Sequence, residues 1–113
     1  MKLVRDNGSL LFSDLVLAKT FWQRTVGLLN RRELSPHEAL WIRKCNWIHT
    51  FFMKFAIDCI FLDEKGSVKK IYHNVQPWRL AGPAWGADSV IEIAAGQALQ
   101  KNVNVGETLI CGP

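Results

Sequence analysis

A mainly β fold, a compact antiparallel β sandwich or barrel with one short helix, is what this 113-residue sequence predicts. Three observations carry that reading. Short apolar runs recur at regular spacing between turn sequences. One of them, Ile57–Leu62, carries apolar side chains at both parities, as does a strand covered on both faces. Only one longer segment, beginning at Thr20, has helical spacing.

The elements follow in order. Lys2–Arg5 and Leu10–Phe12 flank Asp6-Asn7-Gly8, a turn sequence tolerant of positive φ, and form a predicted hairpin, with Leu15–Ala18 a further extended piece. Thr20 has the character of a helix N-cap, Gln23 completes a capping box, and Trp22, Val26 and Leu29 fall on one stripe. Arg24 lies off that stripe. Gly27 costs about 1 kcal/mol within a helix, so it ends the element or admits another backbone closely. Pro36 breaks the chain before a strand at Ala39–Arg43, and the stretch Trp47–Leu62 is strongly apolar. Asp63-Glu64-Lys65-Gly66 is a turn from which Val68–Val75 returns as a hairpin partner. Residues 76–88 contain Pro77, Gly82, Pro83 and Gly86 with Trp78 and Trp85, and read as one long ordered loop of the kind that carries function. Ser89–Ala94 is a strand, Gly96 a break, Gln97–Lys101 a single helical turn and Glu107–Cys111 the last strand. No repeat or internal boundary appears, so residues 1–113 form a single domain.

Composition excludes several classes. Apolar residues make up 49% and charged residues 21%, which rules out a disordered or low-complexity chain, and no apolar run reaches the roughly 20 residues of a membrane-spanning helix. The first 56 residues hold nine basic and four acidic groups, the rest five and six, yet the basic pairs Arg31-Arg32, Arg43-Lys44 and Lys69-Lys70 do not extend into a run. Neither a dense basic stripe nor a nucleic-acid recognition motif is present, so nucleic acid is not the expected partner. Three cysteines without a CxxC, and an N-terminus interrupted by charge, predict a cytoplasmic protein with reduced thiols. No metal site is expected, because Cys45 and His49 in an extended segment would lie roughly 13 Å apart. No cofactor is expected either, since Walker and GxGxxG loops are absent.

Candidate site residues are polar groups among apolar neighbours. Asp58 shares its strand face with Ile60 and Leu62, and Glu92 shares its face with Val90 and Ala94. A buried carboxylate is tolerated only when paired or hydrogen-bonded. Each could therefore line a pocket as an acid or base, or be a structural ion pair with Arg24 or a cap on backbone N–H groups. In an extended Ile48–Lys54 segment, His49 would share a face with Phe51 and Met53, either as a base or ligand contact or as a satisfied core group. Thr50 has no identifiable base. Trp78 and Trp85, with Arg79, could stack on a sugar or another planar ligand, or fold back as a lid on the core.

Three stretches together resemble the domain of unknown function 192 family, a widespread prokaryotic group. They are Arg24-Thr25-Val26-Gly27-Leu28-Leu29; Ile48-His49-Thr50-Phe51-Phe52-Met53-Lys54 with Ile57-Asp58 and Ile60-Phe61-Leu62-Asp63; and Val90-Ile91-Glu92-Ile93-Ala94-Ala95-Gly96 with Gly106-Glu107. The likeness runs from about Ala18 to Ile110 and implies a small β-rich domain without an established reaction. Departures from the common pattern, such as Leu29 for methionine and Ala56 and Ala94 for proline, are mild. Arg24, His49, Met53, Asp58 and Glu92 all fall within the signature stretches.

The expected function is a non-catalytic binding or accessory module. Its cleft would be lined by Arg24, His49, Met53, Asp58, Trp78, Arg79 and Trp85 and offered to a small molecule, a glycan or a protein partner. One alternative is a hydrolase or isomerase using Asp58 or Glu92 with His49 as acid and base. Another is a structural protein-interaction module.

Overall fold

The computed structural model describes residues 1–18 and 31–113 of the chain. The helix expected from Thr20 to Leu29, and with it Arg24, lies outside the described residues. The elements are β1 (Lys2–Arg5), β2 (Leu10–Phe12), β3 (Asp14–Ala18), β4 (Glu38–Arg43), β5 (Ile48–His49), β6 (Ile57–Leu62), β7 (Val68–Val75), β8 (Leu80–Ala81), β9 (Ser89–Ala94), α1 (Gln97–Gln100) and β10 (Leu109–Gly112).

They form a five-stranded sheet in the order β3-β4-β9-β6-β7, a three-stranded sheet β10-β1-β2 and a two-stranded ribbon β5-β8. All pairs are antiparallel except β3 with β4, where Leu15 pairs with Ala39. A parallel pair needs a connection of a dozen residues or more, and residues 19–37 supply it.

Alternation along the central strands builds two cores. Ile60, Leu62, Ile91 and Ile93 face one way and pack with Leu3, Phe12 and Leu15. Cys59, Phe61, Val90 and Ile42 face the other way and pack with Ile48, Met53, Ala81 and Ala84. The central strands are thus buried on both faces, as the mixed parity of Ile57–Leu62 requires.

Turns are fixed by side chains at their corners. Asp63 Oδ1 accepts the backbone N–H groups of Lys65 and Ser67, each at 2.9 Å, and closes the β6–β7 turn. Gly66 there has φ +87°, and a Cβ would overlap the Leu109 carbonyl oxygen.

Candidate functional site

The register of the central sheet separates the sequence-predicted site residues. Cys59 pairs with Glu92 and Asp58 with Ile93, so the two carboxylates point to opposite faces. Asp58 lies on the side of the Leu3 and Phe12 core; Glu92 lies on the side that the β5–β8 ribbon covers. The five-stranded sheet stands between Asp58 and both Glu92 and His49. The two acids therefore share no hollow, and the expected alternative of Asp58 acting with His49 as acid and base is overturned.

Asp58 is fully buried and its carboxylate accepts three backbone N–H bonds. Oδ1 accepts from Asn74 at 2.8 Å; Oδ2 accepts from Gly96 and Ala98, each at 3.0 Å. The donors arise locally: a bulge in the β6–β7 pairing carries Asn74 to φ 52°, and Gly96 and Ala98 present the open N–H groups at the start of α1. This is the cap on backbone donors foreseen as one reading of Asp58. Glu92 is equally buried, between Cys59 and Leu40 of the neighbouring strands.

The ribbon side holds the other candidates. Ile48 pairs with Ala81 and both are enclosed, so His49 and its partner Leu80 face outward. After His49 the chain turns instead of remaining extended, which sends Met53 into the core and displays Phe52. The pin of this turn is Thr50, which is fully buried. Its Oγ1 donates to the Gln76 carbonyl at 2.6 Å and accepts the Arg79 N–H at 2.9 Å. Its own N–H and C=O bond to the Arg79 carbonyl at 2.9 Å and the Trp78 N–H at 3.0 Å. A hydroxyl so engaged is a structural tie.

Around this tie runs a ladder of rings. Centroids are 6.3 Å apart for Trp47–His49, 4.7 Å for His49–Phe51, 5.8 Å for Phe51–Trp78 and 4.6 Å for Trp78–Phe52, within the range of aromatic contact. His49 Nδ1 accepts the Phe51 N–H at 3.3 Å, which places the proton of the neutral ring on Nε2. Phe52 has φ 68° and Trp78 φ 67°. Left-handed backbone is rare for bulky residues and costs on the order of 1–3 kcal/mol each, and such strain gathers at functional sites.

These rings are not sheltered. Phe52 is 65% exposed, Trp78 53% and Trp85 81%, so the tryptophans form no lid on the core. Arg79 and Lys54 are exposed beside them. The 76–88 segment, expected as a single loop, contributes β8 and lies against Asn46 and Trp47 through Gly82. There φ is +103°, and a Cβ would come within 2.6 Å of the Asn46 carbonyl oxygen. Ala84 N–H donates to that oxygen at 2.8 Å.

The rings that sequence reasoning missed are Phe52 and Trp47, together with the exposed Leu80. A signal was present: residues 43–56 and 76–87 hold four cations, six Phe or Trp rings and no carboxylate. Elsewhere, Trp41 Nε1 is the one buried side-chain polar atom without a partner among the described residues, and Trp41 lines a separate cavity of about 280 Å³ with Arg43 and Asp88. Among the described residues, no three His, Cys, Asp or Glu side chains group as a metal site would require.

The family model of domain of unknown function 192, described as "Uncharacterized ACR", matches residues 2–111. A "UPF0127 protein" of Thermococcus sibiricus is 29% identical over 96% of this chain and 73% of its own length. Another, of Pyrococcus abyssi, is 33% identical over 80% of each chain. A crystal structure of a protein of unknown function from Novosphingobium aromaticivorans superposes with a TM-score of 0.81 at 22% identity, covering 97% of this chain and 82% of that one. One from Sinorhizobium meliloti, described as a "putative transcription regulator", gives a TM-score of 0.81 at 21% identity over 96% and 89%. At these identities the structural likeness establishes the fold.

Proposed function

The chain belongs to the uncharacterised domain of unknown function 192 family, and on that premise we propose that it is a non-catalytic binding module whose working face is the aromatic platform on the β5–β8 side. The observation that carries this reading is the pair Phe52 and Trp78. Both are bulky, both hold left-handed backbone, both are more than half exposed, and they touch each other at 4.6 Å. A fold gains little from strained residues whose rings face water. A binding surface gains rigid rings already in place, because less side-chain freedom is lost on contact.

The platform differs from the cleft first expected. His49, Trp78 and Arg79 belong to it and Trp85 stands exposed further along the same loop, whereas Met53 and Asp58 support the fold from beneath or from the other core. Its occupants are of the class that stacks on flat rings or covers them: a small molecule, a glycan or a partner surface. Among the described residues no helix is long and apolar enough to cross a membrane. We place the protein in the reducing cytoplasm, a reading supported by an odd count of three cysteines without a CxxC.

The test is an amide NMR titration against monosaccharides, nucleobases, short peptides and short-chain phospholipids. Shifts confined to Phe51, Phe52, Trp78 and Arg79 are expected for one class. Shifts elsewhere, or none for any class, would contradict the proposal.

A further inference from the structure

The platform has a charge pattern as pronounced as its aromatic one. Lys54 and Arg79 are exposed, and neither of the two stretches that carry the ring ladder, 47–56 and 76–81, contains an Asp or Glu. Such a face complements an anionic partner over an area, not a single anion at a point.

The apolar part narrows the class of partner. Trp47, Phe52, Trp78 and Leu80 are 49%, 65%, 53% and 64% exposed. A stacking site for a base or a sugar needs flat rings, and Leu80 adds nothing to one. Leu80 is held outward by the ribbon register, since its neighbour Ala81 takes the buried position opposite Ile48. An outward leucine beside the ring ladder, with Arg79 preceding it and Lys54 following the Phe52 turn, matches the boundary between lipid headgroups and acyl chains. There indole rings settle with one end wet, aliphatic groups leave water, and cations meet anionic headgroups. The display is also stiff. Thr50 fixes the turn that carries Phe52 and the strand that carries Leu80 through four hydrogen bonds, so little order remains to be imposed on contact.

We infer that this face docks on the surface of an anionic phospholipid bilayer, with Phe52, Trp78 and Leu80 entering the interfacial layer and Arg79 and Lys54 meeting phosphate groups. The inference rests on the platform being the binding face and names its partner.

Sedimentation with vesicles tests it, using phosphatidylcholine alone and phosphatidylcholine mixed with phosphatidylglycerol. The full chain is expected to partition onto the mixed vesicles, to bind phosphatidylcholine more weakly, and to be released as salt screens the attraction. Arg79→Gln and Lys54→Gln each lower the partition about fivefold, the loss expected for one cation near such a surface. Leu80→Ser and Trp78→Ser lower it at low and high salt alike, since apolar burial is not screened. Lys2→Gln, exposed on β1 in the sheet that covers the opposite core, leaves it unchanged. Absence of partition onto the mixed vesicles would overturn the inference, as would partition indifferent to Arg79→Gln and Leu80→Ser. If vesicles fail while an oligonucleotide or oligosaccharide shifts the Phe52 and Trp78 amides, the bilayer is wrong and the binding face stands. If every probe fails, both fall.

Discussion

At the scale of single residues, Phe52 and Trp78 state the argument most compactly. Phe52→Gly relieves a left-handed backbone, loses a ring contact of about 0.5–1.5 kcal/mol and loosens the unfolded chain by a similar amount. These terms nearly cancel, so urea unfolding should place the variant within about 1 kcal/mol of the wild type. Phe61→Ala, from the enclosed ring of the central strand, should instead cost about 3–5 kcal/mol. Cys111 allows a separate check. Burial pushes its thiol up to about 11 from an ordinary 9.0. The folded protein therefore keeps a proton that the unfolded chain loses, and stability falls as pH rises through that interval. Burial pushes the Lys101 ammonium down, which gives the opposite slope, so the readout is the difference curve. Cys111→Ala should lack the alkaline decline that the wild type shows. Matching slopes would contradict it. Burial of Asp58 and Glu92 was legible from their apolar neighbours, but their separation was not. A slip of one residue in the β6–β9 register would have put both on one face, and register depends on the partner strand.

At the scale of elements, the longer strands were legible because alternation and turn residues agree over five residues or more. The β5–β8 ribbon was not, since two-residue strands carry no period and a histidine–threonine–phenylalanine run reads as extended until a left-handed residue turns it. The aromatic loop was expected to be ordered and functional; what it lacked was its anchor. Gly82 and Thr50 provide that anchor, so Gly82→Ala should cost about 1–3 kcal/mol. It should also disturb the amide signals of Trp47 and Trp78 more than those of β1 and β10. A uniform response would contradict the close approach at Asn46. Asp58→Ala tests the joint between β6 and α1. Three backbone donors would lose their acceptor, with a loss of about 3 kcal/mol or more and fast amide exchange at Gly96 and Ala98. Retained protection there would show that the carboxylate is not the cap.

At the scale of the whole molecule, two cores on the faces of one sheet divide the labour. The core containing Leu3 and Phe12 closes the sandwich; the core containing Ile48 and Met53 carries the ribbon and its rings. Both were implicit in the mixed parity of β6, although the parallel β3–β4 pair was not, because strand direction depends on the long connection before β4. Acid stability belongs at this scale. Arg31 donates to Glu38 and holds its carboxyl below its ordinary 4.5, and backbone N–H groups in the β6–β7 turn hold Asp63 below its ordinary 3.8. Lowered carboxylates add stability that is complete above those values and is lost as pH falls through the folded ones. Urea midpoints should therefore decline in acid, and Glu38→Gln with Asp63→Asn should flatten the decline; an unchanged decline would place its source elsewhere. The most direct measurement strips the exposed rings together: urea unfolding of the Phe52→Ser, Trp78→Ser, Trp85→Ser variant. Rings kept for an external partner predict a total loss of no more than about 2 kcal/mol with the slope unchanged. A larger loss, approaching the 3–5 kcal/mol per ring of core aromatics, would mean that they belong to the fold itself.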